Sequence, residues 1–159
     1  VNYVRNTSWL WLYKLAGKTQ GSMFFNPAKY KAYSNSSYVK NKDEIDVAAY
    51  TASDGKHYFL NPANKETQVL FVADGMDYDA STMRTTKFIQ LDDVNFNLVG
   101  DTELERMDFS NPLDKVEVTT GSVIGFENQD GRRGILNVKI SSLIYPTIQC
   151  KFQAVAKKQ

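Results

Sequence analysis

Two Asp-Gly dipeptides, each set between β-branched and aromatic runs, constrain the fold of this chain more than any other feature. One is Asp130-Gly131, inside Gly121-Ser122-Val123-Ile124-Gly125-Phe126-Glu127-Asn128-Gln129-Asp130-Gly131-Arg132-Arg133-Gly134-Ile135-Leu136-Asn137-Val138-Lys139-Ile140. The other is Asp54-Gly55, between residues 45–51 and 57–60. Asp and Gly tolerate the positive φ angles of a tight turn, so each segment predicts an antiparallel hairpin. A two-residue loop at Asp54-Gly55 sets Thr51 opposite Tyr58, Tyr50 opposite Phe59 and Ala49 opposite Leu60. The same loop at Asp130-Gly131 sets Phe126 opposite Ile135 and Val123 opposite Val138. Both faces of this second hairpin are then apolar, which predicts a covered, central element. Gly125 and Gly134 inside its strands mark a bulge or the close approach of a neighbour.

The other segments follow from capping and periodicity. A strand is expected over 9–16, ended by Gly17, and another over 22–25, stopped by Asn26-Pro27. Ser36 or Ser37 caps a short helix over 38–43. The unbroken apolar run at 68–73 predicts a strand buried on both faces. Residues 91–107 carry Asp and Thr caps with Leu and Met at helical spacing, which predicts two short helices. Strands return at 116–118 and 147–155. The 159 residues suit one domain, 1–159, and nine Tyr, nine Phe and two Trp favour strands over a helical bundle. The expected fold is mainly β (α+β): an antiparallel β-sandwich or partly closed barrel with two or three short helices.

Charge and cysteine content exclude several functions. With 19 basic and 18 acidic residues, the chain lacks the electrostatic footprint of a nucleic-acid binder. The apolar run at 9–13 is far too short to span a bilayer, so a membrane connection is expected only through a lipid anchor outside this chain. Opening on Val1 without Met reads as a trimmed, mature form. One cysteine leaves no internal disulfide and no cysteine zinc site. Cys150 alternates with Ile148, Phe152 and Ala154 on one face, the pattern of a buried small hydrophobe.

No motif sets up catalysis, a metal or a cofactor. His57 follows a turn at a strand end, with no partner for a triad. Glu103 and Glu105 are a carboxylate pair of a kind that any domain this size supplies. The stretch Asp74-Gly75-Met76-Asp77-Tyr78-Asp79 lacks the ligand spacing of a calcium loop and is expected to be a solvated acidic turn. Trp9, Trp11 and Tyr13 are the candidate ligand-binding residues. On a strand they share one face, with Leu10, Leu12 and Lys14 on the other. Beside Asn2, Asn6 and Thr7, such an aromatic row suits stacking on sugar rings. Packing in the core or against a partner is the plainer reading of the same row.

The order Gly21-Ser22-Met23-Phe24-Phe25, Tyr33-Ser34, Ile45-Asp46-Val47, Asn61-Pro62 and then the Gly121 to Val138 segment resembles uncharacterised secreted or lipid-anchored domains of Bacteroidota. Members run through a Gly-Ser-Phe-Phe strand, a Val-Tyr-Ser segment, an Ile-Asp pair, a Pro-terminated strand and a Phe-x-x-x-x-Gly-Lys-x-Gly hairpin. This chain departs at Asn26-Pro27-Ala28-Lys29, where an acidic-Gly turn is usual, and at Arg132-Arg133, which replaces a Gly-Lys pair. The resemblance implies export to the periplasm or outer cell surface and no catalytic residues. The expectation is a non-enzymatic binding or structural domain, with a glycan or another envelope protein as partner. The alternative is a hydrolase acting on polysaccharide.

Overall fold

Both Asp-Gly turns close antiparallel hairpins, each one residue out of the register that a two-residue loop dictates. In this computed structural model, which describes residues 2–155, Thr51 pairs with His57 and Tyr50 with Tyr58. Phe126 pairs with Gly134, and Val123 with Asn137. The expected pairs are corrected because each loop has three residues. The Ala52 N–H donates to the Lys56 carbonyl and the Gly55 N–H to the Ala52 carbonyl, both at 2.9 Å, with Gly55 at φ 86°. Asn128, Arg132 and Gly131 repeat this scheme at 2.9 and 3.0 Å, with Gly131 at φ 77°. A turn followed by one left-handed residue is the standard three-residue hairpin loop. The shift puts Phe126 across from a glycine, and a Cβ at Gly134 would collide with its ring. Gly134 is thus the close approach expected of it.

The strands are β1 (Tyr3–Trp11), β2 (Phe24–Asn26), β3 (Lys31–Tyr33), β4 (Val47–Thr51), β5 (His57–Leu60), β6 (Lys87–Gln90), β7 (Lys115–Val118), β8 (Val123–Glu127), β9 (Arg133–Ile140) and β10 (Pro146–Gln153). Two α-helices, α1 (Lys65–Ala73) and α2 (Asp101–Arg106), and 3₁₀ segments at Val39–Glu44, Ala80–Thr82 and Phe96–Leu98 complete the described chain. The strands form two five-stranded antiparallel sheets, ordered β1-β10-β9-β8-β6 and β3-β2-β4-β5-β7. The first is sheet A and the second sheet B. This is the mainly β sandwich expected, with the β8–β9 hairpin inside sheet A and covered on both faces.

Alternation along the strands divides the apolar side chains into three clusters. The inner faces meet through Phe25, Val47, Ala49 and Phe59 of sheet B and Ile124, Phe126, Leu136, Ile148, Cys150 and Phe152 of sheet A. Each outer face has its own cap. Phe24, Ala48 and Leu60 of sheet B lie under Phe71, Tyr78 and Met83. Val123 and Ile135 of sheet A lie under Phe96, Val99, Leu104 and Met107. One corner is turned by the chain after β1: the Leu12 N–H bonds the Pro146 carbonyl in sheet A, and the next N–H, of Tyr13, bonds the Ser22 carbonyl beside sheet B. At the other, Phe88 and Leu113 exchange backbone bonds of 3.1 and 2.8 Å, joining β6 to the approach of β7.

The apolar run at 68–73 is helical, correcting the expected central strand. The Asn64 side chain caps α1 at the Glu66 N–H, and the Thr67 hydroxyl donates to the Asn61 carbonyl at 2.8 Å. Thr67 and Phe71, four residues apart, are buried, while Val69 and Val72 face solvent. The strand expected over 9–16 starts earlier and ends at Trp11, because the chain leaves sheet A there to cross to sheet B. The helix expected over 38–43 is the 3₁₀ segment Val39–Glu44, and the two expected within 91–107 are Phe96–Leu98 and α2.

Candidate functional site: an aromatic platform on the sheet A edge

The outer face of sheet A is capped over only part of its length. Past the cap, Trp11, Thr147 and Lys139 lie side by side across β1, β10 and β9, and Gln149 pairs with Asn137 in the next row. Pairing assigns the faces: Leu10 sits opposite buried Ile148, so Trp9 and Trp11 point outward. They are 40% and 39% exposed, large values for the two tryptophans of the chain.

A bulge between Asn6 and Leu10 shapes this edge. It frees the carbonyls of Thr7 and Ser8 from the ladder, and side chains take them up. The Gln149 amide donates to the Thr7 carbonyl at 2.8 Å. The Tyr30 hydroxyl lies 2.6 Å from the Ser8 carbonyl and 2.8 Å from the Ile148 carbonyl, and burial pushes its pKa well above the usual phenol value. The Asn137 amide donates to Gln149 Oε1 at 2.9 Å, leaving Asn137 Oδ1 without an intrachain donor among the described residues.

The three candidate residues are not equivalent. The Tyr13 ring stacks on Tyr145 at 4.1 Å, and Trp11 leans on Tyr145 at 5.6 Å. Trp9 stands apart, with the Lys139 ammonium 5.4 Å from its ring centre. Trp11, Tyr13 and Tyr145 therefore make one aromatic cluster, and Trp9 lies beyond it on the same outward face, over Lys139. Of the polar neighbours expected from local sequence, Asn6 shares the inward side with Cys150, and Asn2 donates its backbone N–H to Asp101. The amides actually beside the tryptophans are Asn137 and Gln149. No local signal near residue 9 could have found them, because sheet pairing brings them from more than 120 positions away.

The other candidates have structural partners. Asp74 is not a solvated residue: it is the counter-ion of wholly buried Lys14, at 2.5 Å, and that ammonium also lies 5.2 Å from the Tyr50 ring. Asp79 caps the Ala80–Thr82 segment. Glu103 accepts the Gly100 N–H at 2.7 Å, which holds its carboxyl below the usual range. Cys150 is buried at the sandwich centre, and burial raises its thiol far above the ordinary value. Asp46 accepts from Arg84 at 2.9 Å and from Asn128 at 3.0 Å, tying the start of β4 to the β8–β9 tip. Burial raises its carboxyl, yet both oxygens are engaged, so it serves as a tie between the sheets.

His57 is buried at the start of β5, its Nδ1 2.7 Å from the Thr51 hydroxyl, and burial lowers its pKa. The folded pKa lies below the unfolded one, so the unfolded chain binds the extra proton first and stability falls as pH drops below about 6.5. Urea midpoints measured between about pH 7 and 5 are expected to fall on acidification. His57→Gln should flatten that fall. Comparing the two proteins separates the histidine from Asp46, whose raised carboxyl acts in the opposite sense; an unchanged slope in the variant would refute the assignment.

A concavity of about 600 Å³ lies between sheet A and its cap, with Ile89, Leu91, Val94, Val99, Met107 and Ile135 in its wall and Glu103, Arg106 and Asp108 at the rim. No family model, no curated protein and no solved structure matches this chain.

Proposed function

We propose that this is a non-catalytic binding domain of the exported kind, at the periplasm or outer cell surface, and that its Trp9–Trp11 face takes a glycan. One observation carries the reading: two tryptophans about 40% exposed on an outward sheet face, with the Asn137 and Gln149 amides beside them. Sugar rings present apolar C–H faces to aromatic planes and hydroxyls to amides, and this surface supplies both within two adjacent rows. The motif order described above supports export.

A glycan array followed by calorimetry on the best hit tests the reading. Trp9→Ala and Trp11→Ala are each expected to weaken binding about tenfold, since losing an aromatic stack costs on the order of 1.4 kcal/mol. Both residues are partly exposed, so urea midpoints should move little. A blank array for the wild type, or unchanged affinity in both variants, would sink the proposal. The same glycans incubated with the protein should release no reducing sugar; release would overturn the non-catalytic half and favour a polysaccharide hydrolase.

A further inference from the structure

The outer side of sheet A carries two surfaces of different chemistry, the tryptophan edge and the hollow under the cap. Ile89, Ile135, Leu91, Val94, Val99 and Met107 make the hollow aliphatic, and no aromatic ring is among the described residues that line it. A sugar has nothing there to stack on. Ile89, Leu91 and Val94 pack against the buried cluster under the cap yet keep part of their surface open to this space. Its volume of about 600 Å³ falls within the roughly 300–1,000 Å³ typical of small-molecule sites. Gly125 in the sheet below leaves room for the Met107 sulfur, and a thioether adapts its shape to what lies against it.

Charge of mostly one sign surrounds the mouth. Residues 91–113, which form the cap, contain six acids and a single base, Arg106. Glu103 and Asp108 stand at the rim, and each accepts a backbone N–H, from Gly100 at 2.7 Å and from Ser110 at 2.9 Å. Those bonds hold both carboxyls below the usual range, so both are ionised at neutral pH. The bases beneath the cap do not cancel this charge. Arg133 pairs with Glu127 at 2.9 Å, and Lys151 is buried under the Phe96 and Val99 carbonyls. With Lys87 and Arg5 counted as well, acids still outnumber bases around the hollow.

We propose that this hollow binds a small amphiphilic amine, a hydrocarbon chain that ends in an ammonium group. The chain lies along Ile89, Ile135, Val94 and Met107, and the ammonium stays at the mouth, where Glu103 and Asp108 stand. Aliphatic walls reward only the burial of apolar surface, so the body of the ligand is hydrocarbon. An anionic head would meet two fixed carboxylates at the rim, a repulsion that Arg106 alone does not cancel. The proposal goes beyond glycan recognition and shares no residue with the Trp9–Trp11 face.

Calorimetry of the full chain with octylamine, octanol and octanoate, matched in chain length and kept below their micelle concentrations, tests it. Octylamine is expected to bind about tenfold more tightly than octanoate, with octanol between them. Hexylamine should bind about tenfold more weakly than octylamine, because it buries two fewer methylenes. The double variant Glu103→Gln, Asp108→Asn keeps an acceptor for each backbone N–H while removing both charges. Octanoate should then bind better than octylamine, held by Arg106, and misfolding cannot reverse a preference. In the wild type, octylamine should also shift the methyl NMR signals of Ile89, Ile135 and Met107. Three results would overturn the proposal: no binding of octylamine, a head-group order that the double variant leaves unchanged, or a dimer in sedimentation whose formation shifts those methyls without ligand. Glycan affinity of the double variant is expected to be unchanged, so failure of either reading is visible apart from the other.

Discussion

Gly134→Val is expected to destabilise the domain by about 3 kcal/mol, the upper end of what overpacking a core costs, seen as a large drop in the urea midpoint. The new Cβ would collide with the Phe126 ring and lie 3.0 Å from the Lys151 carbonyl. Neither neighbour can yield cheaply. The ring is wholly buried between the sheets and stacks on Phe152 at 5.7 Å, and the carbonyl belongs to the β10 ladder. Gly125→Ala is the informative comparison. Its Cβ would meet the Met107 sulfur and the Ile89 side chain, flexible groups of the cap that can shift, so its cost should be clearly smaller. Equal costs at the two positions would show that the Phe126 contact is not what requires a glycine at 134.

Lys151→Met should cost about 2–3 kcal/mol and act on one region first. Lys151 is buried on the outer side of β10, where its ammonium donates to the Phe96 carbonyl at 2.5 Å and the Val99 carbonyl at 2.8 Å and lies 4.8 Å from the Phe96 ring. Methionine fills similar space but removes that donor from both carbonyls; the Phe96 carbonyl keeps the Val99 N–H at 3.3 Å, so the Val99 carbonyl is the one orphaned, at roughly 1–3 kcal/mol. The loss is offset in part, because a buried cation without a carboxylate partner is itself costly and burial already lowers its pKa. Hydrogen exchange should show lost protection over residues 95–107, the cap that walls the 600 Å³ concavity, before any global change. A variant as stable as wild type, with the cap still protected, would mean that the charge costs as much as its two bonds contribute.

Much of the architecture was legible in the chain because it rests on local chemistry. Asp-Gly announced two hairpins, alternation put Ile148, Cys150 and Phe152 on one buried face, and the same rule separated Trp9 and Trp11 from Leu10 and Leu12. The misreadings came where local chemistry leaves two answers. Asp-Gly closes two-residue and three-residue loops alike, so each register was off by one. Six apolar-rich residues suit a buried strand or a helix, and the capping Asn64 just before them decided for the helix.

By itself the sequence determined a mainly β fold, the two Asp-Gly hairpins, and an aromatic row on one side of the first strand, because turn chemistry and a period of two act over a few residues. Only the tertiary structure decided that this row faces outward, that Tyr145, Asn137 and Gln149 stand beside it, and that Asp74 answers Lys14. Those outcomes depend on which strands pair and which surface each cap covers. Both are contacts across large sequence separation, settled by the burial of two sheets against each other and leaving no local pattern.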